Sequence, residues 1–172
     1  MKLDVSRLYG NTHKYGEKIM EEAEKYLFTT KKGIDVFMFI EPMSGICSYA
    51  KLFHINDFGK QNLLFKASYD LIWEADGTCR IFIGDIQMSQ LNVSNGYGTI
   101  LMDYILWLAK KNKATSISGL LGATELLNPE NKIRLLSFYA KYNFQIKLNE
   151  EQNAGEIYLG LAVDFPRNTS HI

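Results

Sequence analysis

The spacing of apolar residues changes period several times along the chain, and each change marks an element. Residues 15–27, "YGEKIMEEAEKYL", place Ile19, Met20, Ala23 and Leu27 at helical spacing with charges between, which predicts an amphipathic helix. "IDVFMFI" at 34–40 is a short apolar run and reads as a buried strand, and "ICSYAKLFHI" at 46–55 as a second. Two longer β-favouring runs at 62–74 and 79–88 flank Asp76-Gly77, a strong hairpin signal. From Thr99 to Lys113 the pattern is helical and ends in "KKNK", basic residues that suit a helix C-terminus. "TSISGLL" at 115–121 predicts a strand and "GATELLNPE" a loop. "NKIRLLSFYAKYN" predicts a helix with Leu135, Phe138, Tyr139 and Tyr142 on one stripe. "FQIKL" and "EIYLGLAV" close the chain as two strands around the polar turn "NEEQNAG", and residues 166–172 are expected to fray.

This order predicts an α/β (α+β) fold: a mixed, mostly antiparallel sheet of about six to seven strands with helices beside it. No repeat, low-complexity linker or composition break divides the 172 residues, so one domain is expected.

"NVSNGYGTILM" at 92–102 sets two glycines one residue apart at the start of an apolar helix. A Gly-rich turn entering a helix presents N–H groups and the positive dipole end, and so can bind phosphate. A Walker-type loop needs Lys then Ser or Thr after its second glycine, which is absent. The dinucleotide fingerprint needs a third glycine where Leu101 stands, and parallel surroundings. A structural turn alone would also explain the pair.

Composition narrows the field further. Apolar residues make up 47% of the chain, and 19 basic residues balance 19 acidic ones, so no basic excess points to nucleic acid or a membrane surface. Cys47 and Cys79 are too few for a disulfide framework, and His13, His54 and His171 lack ligand spacing, so no metal site is expected. The N-terminus lacks a signal-peptide pattern and no run is long enough to span a bilayer, which predicts a cytoplasmic protein.

With its surroundings, the glycine turn is more specific. "IGDIQMSQLNVSNGYGTILMDYIL" resembles the acyl-CoA-binding segment of the GNAT superfamily of N-acyltransferases: a central strand, a loop of the form Arg/Gln-x-x-Gly-x-Gly/Ala, and a long apolar helix. "NKIRLLSFYAKYNFQI" resembles the second signature, an Asn, then Phe-Tyr on a helix, then a strand opening with Phe. The element order is similar over about residues 34–163, and the specific motifs lie in 83–101 and 131–146. Val93 stands where the family has Arg or Gln, and Asn143 where it has Gly. Val93 removes a polar side chain near the phosphates but leaves the backbone donors, and Asn tolerates the left-handed conformation.

The resemblance implies acetyl-CoA as cosubstrate. Backbone N–H groups of Ser94, Asn95, Gly96, Tyr97, Gly98 and Thr99 would hold its diphosphate. Ile86 and Met88, at the end of the central strand, would offer backbone groups to the pantetheine amides. Tyr139 matches the tyrosine that donates to the coenzyme sulfur; its place on an apolar stripe taken alone would suit a core residue, and the motif context favours the catalytic role. Asn131 matches an asparagine that bonds the cofactor arm or the amine; an N-cap role explains it as well. A lysine-like amine, with a pKa of about 10.4, must lose a proton before it attacks. Glu125 is the first choice of base, ahead of Asp85, Glu41, His54 and Glu74; many members of the family use water to carry the proton instead.

The implied function is acetyl transfer to a small-molecule or peptide amine by direct attack in a ternary complex, with no metal. Cys47 and Cys79 sit in no nucleophile motif. In the family, N-terminal helices (here within 1–30) and the last hairpin shape the acceptor side. Those segments are polar and mixed in charge here and select no acceptor. Edge strands and aromatics such as Tyr158 would permit a homodimer. The alternative is a catalytically weak or inactive coenzyme-binding sensor or interaction module, which Val93 and the lack of a clear base favour. An unrelated structural α/β protein would bind no coenzyme at all.

Overall fold

The computed structural model describes residues 24–29, 35–42, 47–55, 61–88 and 95–162. These fall into two compact units: residues up to Asp70 with Ile83–Leu106, and Leu71–Phe82 with residues from Trp107 onward. Two strands of the long hairpin and one helix contribute residues to both.

The first unit holds β1 (Glu24–Thr29), β2 (Asp35–Pro42), β3 (Cys47–Ile55), most of β4 (Gln61–Trp73), the later part of β5 (Cys79–Met88) and most of α1 (Tyr97–Lys111). Its strands lie in chain order, and β1 to β4 pair antiparallel in succession. Alternation along each strand sends one set of side chains inward. Val36, Met38 and Ile40 of β2, Ala50 and Leu52 of β3, and Phe65, Ala67 and Tyr69 of β4 are buried, as are Leu101, Met102 and Ile105 of α1. The hydroxyls of Tyr69 and Tyr104 meet at 3.0 Å, their rings edge to face, so helix and sheet are joined by a polar contact inside an apolar core.

The helix expected over 15–27 is corrected at its end: Glu24–Thr29 is a strand, registered from Glu24 on Ile40 to Thr29 on Asp35. Residues 15–23 lie outside the described set. Here a backbone ladder to the apolar β2 outweighs the weak helical preference of a short segment. That strand brings the described strands to eight rather than six or seven.

The second unit contains the hairpin tip, β6 (Ala114–Leu121), α2 (Ala123–Leu126), α3 (Pro129–Lys141), β7 (Gln145–Leu148) and β8 (Gly155–Gly160). At the tip Gly77 takes φ +81° and donates to Glu74 O at 3.0 Å, while Glu74 N–H donates to Thr78 O at 2.9 Å. Asp76 accepts from both the Thr78 hydroxyl and its N–H, and these bonds, the hydroxyl foremost, hold its carboxyl below the usual range. The strand order is β5, β6, β8, β7, with β8 antiparallel to both neighbours. β5, α1 and β6 follow one another as strand, helix, strand, the connection a parallel neighbour needs. Ile81, Ile117, Leu121, Leu126, Tyr139, Phe144 and Ile157 form this unit's core. The "GATELLNPE" stretch is not the simple loop expected: it holds α2 and the first residues of α3.

Candidate functional site

Gly96 opens α1 with φ +85°, a conformation that costs an L-residue about 1 kcal/mol or more. A Cβ there would meet nothing within 4 Å, so the glycine is required by backbone conformation and not by crowding. Ile100 N–H donates to Gly96 O at 3.2 Å, the first bond of the helix. Tyr97, Gly98 and Thr99 therefore carry first-turn N–H groups with no acceptor inside the helix. No acidic side chain occupies that turn to compete for them. The Tyr97 ring is buried, and burial pushes its phenol up. Asn95 is half-buried beside the turn; Ser94 and Val93 lie outside the described residues.

Ile86 and Met88 end β5 in the same unit. Just before them, Asp85 N–H donates to Ser68 Oγ of β4 at 2.9 Å. A Cβ on Gly84 would lie 2.4 Å from that oxygen, so the contact exists only because residue 84 is glycine. Asp85 itself is exposed, and its carboxylate accepts from Gln87 Nε2 at 2.6 Å. Sequence reading passed over Ser68 and Gly84. The signal was present in "IFIGDIQM", where apolar residues fill 81–83 but polar Asp85 and Gln87 then take the odd positions and Ile86 and Met88 the even ones.

In the second unit Tyr139 is 3% exposed, its ring edge-on to Phe138 and Phe144 at centroid distances of 5.3 and 5.4 Å. The helix stop makes this seat. Asn143 adopts φ +62°, its N–H reaches Ala140 O, and Phe144 N–H reaches Tyr139 O, the paired bonds of a Schellman motif. Asn143 thus does what glycine does at this position in the family it resembles. Burial, and then the nearby Glu125 carboxylate, push the Tyr139 phenol well above its ordinary value. Glu125 Oε2 accepts from Gly122 N–H at 2.9 Å, the reach-back bond of a capping box that fixes the carboxylate on α2.

Asn131 is not the N-cap. Asn128 is, its Oδ1 accepting from Asn131 N–H at 3.0 Å with Pro129 next, because Pro suits the first helical position. The Asn131 side chain instead accepts from Arg134. Beside it, Lys132 Nζ donates to Gln152 O and Oε1 at 3.3 and 2.9 Å, tying the last hairpin turn to α3. Among the other acids considered, Glu41 pairs with Lys51 and Glu74 with Arg80. Among the described residues no group of His, Cys, Asp and Glu could hold a metal, and no helix is long and apolar enough to cross a membrane.

No family model matches the sequence, and no curated protein matches it. Solved structures do. The GNAT domain of PAT from S. lividans aligns with TM-score 0.55 at 9% identity, over 80% of this chain and 97% of that one. Arabidopsis thaliana Naa50, solved with the bisubstrate analogue CoA-Ac-MVNAL, aligns with TM-score 0.52 at 16% identity, over 66% and 72%. Arabidopsis thaliana NAA60, solved with acetyl-CoA, aligns with TM-score 0.51 at 7% identity, over 69% and 78%. With the strand order, the left-handed glycine turn and the buried Tyr139 already in place, these alignments show that the chain has the GNAT acetyltransferase fold.

Proposed function

We propose that this protein is an N-acetyltransferase that moves an acetyl group from acetyl-CoA to an amine, a small molecule or a peptide, by direct attack. The observation that carries the reading is the left-handed Gly96 at the mouth of α1, with unclaimed N–H groups on Tyr97, Gly98 and Thr99, in a chain of this fold. Coenzyme-bound neighbours, one with acetyl-CoA and one with a coenzyme–peptide analogue, support both the cosubstrate and an amine acceptor.

In this reading the turn from Ser94 to Thr99 holds the diphosphate, and the backbone of Ile86 and Met88 meets the pantetheine amides. Asn131 contributes its amide to the cofactor side. Attack needs a neutral amine, and Glu125 is the proposed acceptor of its proton. The departing sulfur resembles an alkyl thiol with a pKa of about 8.5, whereas Tyr139 ionises well above that. Full proton transfer from Tyr139 would run uphill, so its contribution is a hydrogen bond to the developing thiolate. Such bonds to charged groups contribute about 1.5–3 kcal/mol, so Tyr139→Phe is expected to lower kcat about 10- to 100-fold.

The test begins with native mass spectrometry or calorimetry of the protein with acetyl-CoA, and continues with an amine panel assayed for released coenzyme thiol. Binding, turnover on at least one amine, and loss of kcat in Tyr139→Phe at unchanged coenzyme affinity are expected. Binding without turnover on any amine would make the protein a coenzyme-binding module; no binding would remove the coenzyme reading.

A further inference from the structure

Counting along β5 reveals a change of phase. At the hairpin end next to the strands, Thr78 C=O is turned toward the β4 side, where it accepts from Glu74 N–H one residue beyond β4. Successive residues of a strand turn their N–H and C=O to opposite edges, so an unbroken β5 would face β4 with residues 80, 82 and 84, and turn Asp85 away. Asp85 N–H nevertheless meets Ser68 Oγ of β4 at 2.9 Å. The buried series also stops here: Cys79, Ile81 and Ile83 are buried, whereas Asp85 and Gln87, which continue it, are exposed. One extra residue at Gly84–Asp85, as in a β-bulge, accounts for that contact.

The slip decides which backbone groups reach the outer edge. With Asp85 N–H on the β4 side, alternation places Gln87 on that side too, and turns the N–H and C=O of Ile86 and Met88 away from β4. Without it, Asp85 and Gln87 would hold the outer edge. The slip is secured by a side chain and not by the ladder. Ser68 Oγ supplies the acceptor, and the missing Cβ of Gly84 lets that oxygen approach.

We infer that Ser68 is a positioning residue for the coenzyme: by holding Asp85 N–H in the space left by Gly84, it presents the backbone of Ile86 and Met88 to the pantetheine amides. This rests on the acetyl-CoA reading above. It assigns Ser68 an effect on the arm of the coenzyme and none on the diphosphate end, which belongs to the α1 turn.

The experiment uses two probes on the full chain, acetyl-CoA and 3′-phospho-ADP, the second lacking the pantetheine arm. Calorimetry is expected to show acetyl-CoA weakened about five- to tenfold by Ser68→Ala, with 3′-phospho-ADP within about twofold, the loss of roughly one hydrogen bond's worth of alignment. Ser68→Thr, which keeps the acceptor, restores acetyl-CoA affinity. Gly84→Ala, whose Cβ would sit on the Ser68 hydroxyl, gives the same split and serves as the test if Ser68→Ala does not fold. Equal weakening of both probes means a merely structural role and overturns the inference, as does no change in either. If the native protein binds neither probe, the coenzyme reading falls and this inference with it; native binding without the split removes Ser68 alone.

Discussion

At the scale of single residues, the environment of Tyr139 decides what that side chain can do. A phenol enclosed by Phe138 and Phe144, with the Glu125 carboxylate near it, keeps its proton through the whole neutral range. It is a constant donor and imposes no pH limb near neutrality. Glu125→Gln removes the charge but keeps the shape, so Tyr139 is expected to ionise at lower pH than in the native protein. Ultraviolet phenolate titration, with Tyr139→Phe identifying the signal, checks this; an unmoved titration would show that burial alone sets the phenol. The Phe-Tyr pair was legible in the sequence because its motif is local. That Glu125 would be fixed by Gly122 was not, because the stretch reads as loop until α2 is seen to form.

Elements divide according to how far their determinants lie. The hairpin at Asp76-Gly77, α1, and α3 with its stop at Asn143 were all read within a few residues of their ends, because turn and cap chemistry is carried by adjacent side chains. The start of α3 shows how narrow the margin is: cap and Asn131 are three residues apart, and both are asparagines. Asn128→Ala is expected to cost about 1 kcal/mol and lower Tm by roughly 2–4 °C, whereas Asn131→Ala costs much less. Thermal melts of the two variants decide it. β1 was misread for the opposite reason, since its conformation depends on pairing with β2 and not on its own preference.

Across the whole molecule, buried groups that ionise only at high pH set the alkaline limit of stability. Burial raises Tyr139, Tyr97 and Cys79 alike, so the folded chain keeps protons that the unfolded chain releases. Their contribution is complete below the unfolded values, about 8.5 for Cys and 10 for Tyr, and is lost as pH climbs from there toward the raised folded values. Denaturant melts are expected to show stability falling above about pH 9, with a shallower fall in Tyr139→Phe. A fall of native steepness in that variant would contradict the assignment. By itself, the sequence determined the class of fold, the glycine turn before an apolar helix and the Phe-Tyr helix, since each is written in near neighbours. Only tertiary structure decided that residues 24–29 are a strand, that Asn128 caps α3, and that Ser68 seizes the Asp85 amide over Gly84. For the strand and for Ser68 the physical reason is that a strand's hydrogen-bond partner lies on another strand, whereas at α3 two asparagines three residues apart compete for one local cap and only the folded backbone chooses between them.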